Sequence, residues 1–134
     1  MKRFVLISLM MLGALAVSGG LWPSVRGKAA PHRESAVVEF TQTVRLQNVL
    51  LRGQYLIVHD EELMARGEAC TYIFHGDRAD PAKLVISFHC IPVERDKAEG
   101  FKVTLSHHSG PYEIPEVKEY QFAGSIEGHQ VPTV

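Results

Sequence analysis

From residue 36 onward the chain alternates apolar and polar positions with a period of two, the spacing that sends successive side chains to opposite faces of a β-strand. Ala36 to Gln47 places Val38, Phe40, Val44 and Leu46 on one face against Glu39, Thr41, Thr43 and Arg45, with Gln42 as the odd polar member of the apolar side. Val49 to Leu51 and Tyr55 to Val58 continue the pattern on either side of Gly53, which supplies a tight turn. Phe101, Val103, Leu105 and His107 alternate with Lys102, Thr104, Ser106 and His108, and Lys118 to Ile126 gives a last strand through Tyr120 and Phe122. Glu127 to Val134 carries no such pattern and reads as a loose tail.

One passage has helical chemistry. Asp60 can cap the orphan N–H groups of a first turn, Glu61 and Glu62 suit its positive end, Arg66 suits the negative end, and Gly67 can take the left-handed stop. A helix of under two turns is marginal alone, so Leu63 or Met64 must plug an open end of the strands. That role also accounts for the acidic triplet without an active site.

The stretch Cys70 to Cys90 reads as a β-hairpin with a cysteine at each open end. Cys70, Tyr72 and Phe74 share one face, Leu84, Ile86, Phe88 and Cys90 share the facing one, and Gly76 to Ala82 is rich in turn residues. If Cys70 lies opposite Cys90, the turn centres on Asp80, and opposed Cα atoms at roughly 4.5–5.5 Å fall within disulfide range. The second strand runs on to about Val93, with Pro92 marking an edge. The predicted fold is therefore all-β: an antiparallel β-sandwich of about six to eight short strands, with one short helix and a cross-strand Cys70–Cys90 disulfide.

Leu51-Arg52-Gly53-Gln54-Tyr55 resembles the Leu-Pro-x-Gly-x-Tyr hairpin of small exported bacterial β-sandwich proteins of uncharacterised function, with Arg52 departing from the proline-small pattern. The resemblance covers the hairpin and the strand order. It implies the sandwich fold and brings no catalytic residue with it.

The first residues have another character. Met1-Lys2-Arg3 is a short basic start, Phe4 to Val17 is an uncharged apolar run of 14 residues, and Ser18-Gly19-Gly20 follows. This is the plan of an export signal, shorter than the roughly 20 apolar residues of a membrane span. Residues 1–30 are expected to be signal and leader, and residues 31–134 one β-sandwich domain, exported to a periplasmic or secreted location without stable membrane insertion. Two cysteines in an oxidising compartment then favour one disulfide, which for a loop of about twenty residues contributes roughly 3 kcal/mol in the loop-entropy account. Beyond residue 30 the chain holds 10 Lys and Arg against 15 Asp and Glu, a formal charge of −5. An acidic domain without a basic stripe is a poor partner for nucleic acid or an anionic membrane surface.

Seven histidines raise a metal question. In the expected register His75 and His89 face away from the cysteines and lie roughly 13 Å apart at about 3.3 Å per residue, too far for one ion with bonds of about 2 Å. A Cys₂His₂ site within the hairpin is thus disfavoured, and no methionine completes a blue-copper set after His75. A looser site using His59, His89 or His108 stays open. No Gly-x-Ser-x-Gly elbow is present, and the only tryptophan, Trp22, lies in or near the leader, so neither nucleophilic catalysis nor a sugar-stacking face is indicated. The expected function is a non-catalytic binding or structural module of the cell envelope, with no cofactor and with an envelope protein or small ligand as partner. The alternative is a copper- or zinc-binding protein using His59, His89 and His108.

Overall fold

The computed structural model describes residues 32–106 and 110–134. Strands β1 (Arg33–Leu46) and β2 (Val49–Asp60) form a long antiparallel hairpin, turned by Gln47 in the left-handed region at φ 53°. A short helix, α1 (Glu61–Ala65), follows, then β3 (Thr71–His75), a 3-10 turn at Pro81–Lys83, β4 (Leu84–Phe88), β5 (Ile91–Glu94), β6 (Lys102–Ser106), β7 (Glu116–Gln121) and β8 (Glu127–Gln130). The helix forms as its sequence expects: Asp60 Oδ1 accepts from the Glu62 and Leu63 N–H groups, and Gly67 sits at φ +73°. Met64 packs against the core. Among the described residues no helix is long and apolar enough to cross a membrane.

All eight strands belong to one sheet in the order β4-β3-β2-β1-β7-β8-β5, with β6 paired to β7 off this path. Arg45 of β1 meets Glu116 of β7 in a parallel pairing, and the other strand pairs are antiparallel. The expected two-sheet antiparallel sandwich is therefore replaced by one mixed sheet that curls over its own face, a half-barrel. The bend lies in β1, where the ladder passes from Phe40↔Gly53 directly to Val44↔Leu51 and so accommodates extra residues on one strand. Gly53, at φ +93°, serves this bulge rather than a turn, and β2 continues through it.

The curl creates the core. Val44, Leu46, Leu51, Ile57, Ile73, Val117 and Tyr120 are all within one or two per cent of complete burial. Each large apolar side chain so buried is worth about 1.5–3 kcal/mol. The outer face of β2 and β3 carries a second, smaller cluster of Leu56, Val58 and Phe74 with Tyr72 against it.

The β3–β4 register differs from expectation by one residue. Thr71 pairs with Phe88 and Ile73 with Ile86, so Thr71 and Ile73 face the main core while Tyr72 and Phe74 face the outer cluster. A one-residue slip exchanges the faces of a strand, which is why the assignment of Tyr72 and Phe74 to the inner side is reversed. The cysteines lie just beyond this ladder, Cys70 before β3 and Cys90 after β4, and from there both turn into the core. The strand expected to run to Val93 breaks at His89-Cys90 and resumes as β5, paired not with β3 but with β8. Glu127–Gln130, expected within a loose tail, is that partner strand. β4 and β5 are the two end strands of the sheet path, yet only two residues separate them in the chain. Cys90 thus occupies the seam at which the curled sheet meets itself.

Candidate metal centre

At this seam the two halves of the sheet bring polar side chains together. His59 on β2 is the ladder partner of Thr71 on β3, and His129 on β8 is the ladder partner of Tyr120 on β7. Each pair shares a face, and the curl sets the faces against each other. The His59 and His129 ring centroids are 4.0 Å apart, and His129 stacks on Tyr120 at 5.0 Å. The Thr71 and Tyr120 hydroxyls hydrogen-bond across the interior.

Cys90 completes the group. Its Sγ lies 3.7 Å from His129 Nδ1, and ligand atoms of His59, Cys90 and His129 all fall within 4.8 Å of one another. A tetrahedral ion with bonds of about 2.0 Å to nitrogen and 2.3 Å to sulfur separates N and S ligands by about 3.6 Å. The Cys90–His129 spacing already fits, and the remaining distances, none above 4.8 Å, need at most about 1.5 Å of closure.

The site is buried and most of its nitrogens lack partners among the described residues. His59 is 0% exposed and His129 1% exposed. Both ring nitrogens of His59, and Nε2 of His129, have no hydrogen-bond partner among the described residues. Burial lowers the pKa of both imidazoles. For His129 burial and the facing His59 bring it down to about 4. For His59 burial outweighs the opposing fields of Glu61 and Asp60. Both rings are therefore neutral at pH 7, the state that ligates metal. Burial also pushes the Cys90 thiol up to about 12, against the hydroxyls of Thr71 and Tyr120, and it raises Tyr120 as well. A cation bound beside Cys90 would oppose this shift by stabilising the thiolate.

No known family, curated protein or solved structure matches the chain. The site therefore rests on its own geometry.

Cys70 stands behind Cys90. The two sulfurs are 2.6 Å apart, and the Cys90 N–H donates to Cys70 Sγ at 3.2 Å. The expected disulfide partners are thus brought face to face in the core.

Of the three histidines expected to bind metal, the structure brings only His59 to the centre. His89 is exposed at the seam, facing away from the cluster as its parity requires, and His108 lies outside the described residues. His75 is exposed and sets its ring edge-on to Tyr55. His129, missed from sequence, lies on a four-residue strand containing Gly128, too short to display alternation. Gly128 was the available signal. A glycine inside a strand marks close approach, and a Cβ there would collide with the Glu119 carboxylate that holds Arg95.

A depression of about 530 Å³ lined by His32, Glu34, Glu61 and Glu127 lies beside the centre, with Glu127 Oε1 3.7 Å from His129 Nδ1. Burial, with the negative charge of neighbouring carboxylates, raises the pKa of Glu34 and Glu127.

Proposed function

We propose that this protein is an exported, non-catalytic module that binds one thiophilic transition-metal ion, copper(I) or zinc, through His59, Cys90 and His129. The observation that carries this reading is the pair of fully buried imidazoles that face one thiol, three of whose four nitrogens have no hydrogen-bond partner among the described residues. Nearly all buried polar atoms in folded proteins are paired, and leaving one unpaired costs about 1–3 kcal/mol. Three such nitrogens around one sulfur are a costly arrangement for a structural core, and a bound ion repays it. The donor set also suits the ion. Two imidazoles and a thiolate are the ligands that copper and zinc prefer, whereas calcium and magnesium take oxygen. One thiolate with copper(I) leaves no net charge in the core, which favours that ion in so dry a site.

Catalysis is poorly served by the same geometry. Cys90 and His129 lie close enough to suggest a thiol dyad, but burial holds the thiol protonated at neutral pH, the reverse of an activated nucleophile.

The test is titration of the reduced protein with zinc, and with copper(I) under anaerobic conditions, against a competing chelator. One equivalent is expected to bind to the wild type, and His59→Ala, Cys90→Ser and His129→Ala should each weaken binding by about 100-fold or more. Binding weaker than about 10 μM, roughly 7 kcal/mol, would overturn the reading.

A further inference from the structure

Resting on that metal-site reading, we infer that Cys70 is a redox gate: oxidation to a Cys70–Cys90 disulfide removes the only sulfur ligand and releases the ion. The geometry is direct. Cys90 Sγ is shared between two neighbours, His129 Nδ1 at 3.7 Å on the metal side and Cys70 Sγ at 2.6 Å behind it. Cys70 is absent from the group of mutually close ligand atoms, so its thiol is spare when Cys90 binds metal. The same sulfur cannot serve both partners as a thiolate ligand and a disulfide half.

The backbone is built for exchange between the two states. Cys70 is held by its own N–H to Phe88 O at 3.2 Å and by its carbonyl, which accepts from Asp60 N–H at 2.9 Å. The Cys90 N–H points at Cys70 Sγ. Cys90 itself lies in the two-residue link between β4 and β5, outside both ladders, where a small backbone shift breaks no strand pairing. One sulfur is anchored and the other has room to choose.

The step balances with a disulfide-carrying exchange partner as oxidant. One thiolate of the pair attacks the partner's S–S bond to give a mixed disulfide, and the other then displaces the partner's sulfur. One S–S bond breaks and one forms, two electrons pass to the partner, the Cys70 thiol proton goes to one of its released sulfurs, and the other takes a proton from water as the ion leaves the Cys90 thiolate. The ion leaves with His59 and His129 alone as protein ligands, too few to retain it tightly.

Zinc is the right probe, because it has no redox chemistry of its own and reports only the thiol state. The full-length exported protein is reduced, or treated with oxidised glutathione, freed of reagent, and titrated with zinc in each state. Oxidation is expected to weaken wild-type binding by roughly 100-fold or more, with recovery on re-reduction. Cys70→Ala should bind zinc equally before and after the same treatment. Equal wild-type affinity in both states, or a Cys70→Ala variant that still loses zinc on oxidation, would overturn the gate. Absence of binding by the reduced wild type would instead remove the metal-site reading beneath it. Should Cys70→Ala fail to fold, peptide mapping of the oxidised wild type decides: a Cys70–Cys90 bridge must accompany the loss of zinc, and loss with both thiols still alkylatable refutes the gate.

Discussion

Acidification of the metal-free, reduced protein should expose the cost of burying two unpaired imidazoles. His129 ionises near pH 4 in the folded chain against about 6.5 in the unfolded one. Because its folded value is depressed, the unfolded state binds more protons between these limits. Stability is therefore intact above about pH 6.5 and is lost progressively as pH falls towards 4. Between pH 7.5 and 4.5 the loss from His129 alone comes to about 2–3 kcal/mol. For a domain of this size that lowers the thermal midpoint by roughly 10–20 °C. His59 adds in the same direction, its pKa being lowered by burial, while Glu61 and Asp60 at the start of α1 temper it. Glu34 on β1 and Glu127 on β8 act oppositely, since their raised pKa values make the folded state bind protons more readily. The comparison that isolates the effect is His129→Leu, close in volume and without a titrating group. Chemical denaturation at a series of pH values, with chelator present, should show that the variant keeps about 2–3 kcal/mol that the wild type loses on acidification. At pH 7.5 the variant should be within about 1 kcal/mol of the wild type, because an apolar side chain removes an unpaired buried nitrogen. Parallel pH curves for the two proteins would refute the reasoning.

Other substitutions test the frame around the centre. Tyr120→Phe removes the hydroxyl that meets Thr71 and should cost about 1–2 kcal/mol in denaturant melts, with the fold retained. Asp60→Ala deletes the acceptor of the Glu62 and Leu63 N–H groups and should cost about 1 kcal/mol while leaving zinc stoichiometry unchanged. Gly53→Ala places a side chain at φ +93° in the bulge that bends β1 and β2, and a loss of about 1 kcal/mol or more is expected from backbone strain alone.

The strands were legible where they were long and patterned. β1 and β6 follow their alternation, and α1 follows its cap and its terminal glycine, whereas the last strand, expected over Lys118 to Ile126, is β7 at Glu116–Gln121, with Val117 and Tyr120 both buried across a shift in its register with β6. Their assembly was less legible, because the same alternation suits a sandwich and a curled sheet, and the bulge at Phe40–Val44 that decides between them shows only as Gln42, a polar and exposed residue on the apolar side. The hairpin register slipped by one because the cysteines were assumed to be ladder partners, whereas the structure ends the ladder at Thr71 and Phe88. That assumption also hid the centre. His75 and His89 lie outside the group, but Cys90 joins residues from β2 and β8, about 30 and 40 residues away in sequence. No local spacing encodes such a meeting. His59 was a candidate on its own, and only the fold supplies His129.

The account stands most directly on what surrounds the bound ion. X-ray absorption of the reduced, zinc-loaded protein should show one sulfur at about 2.3 Å and two imidazole nitrogens at about 2.0–2.1 Å, with one nitrogen lost in His129→Ala when zinc is supplied in excess. A ligand shell without sulfur, or one unchanged by the loss of His129, would contradict it.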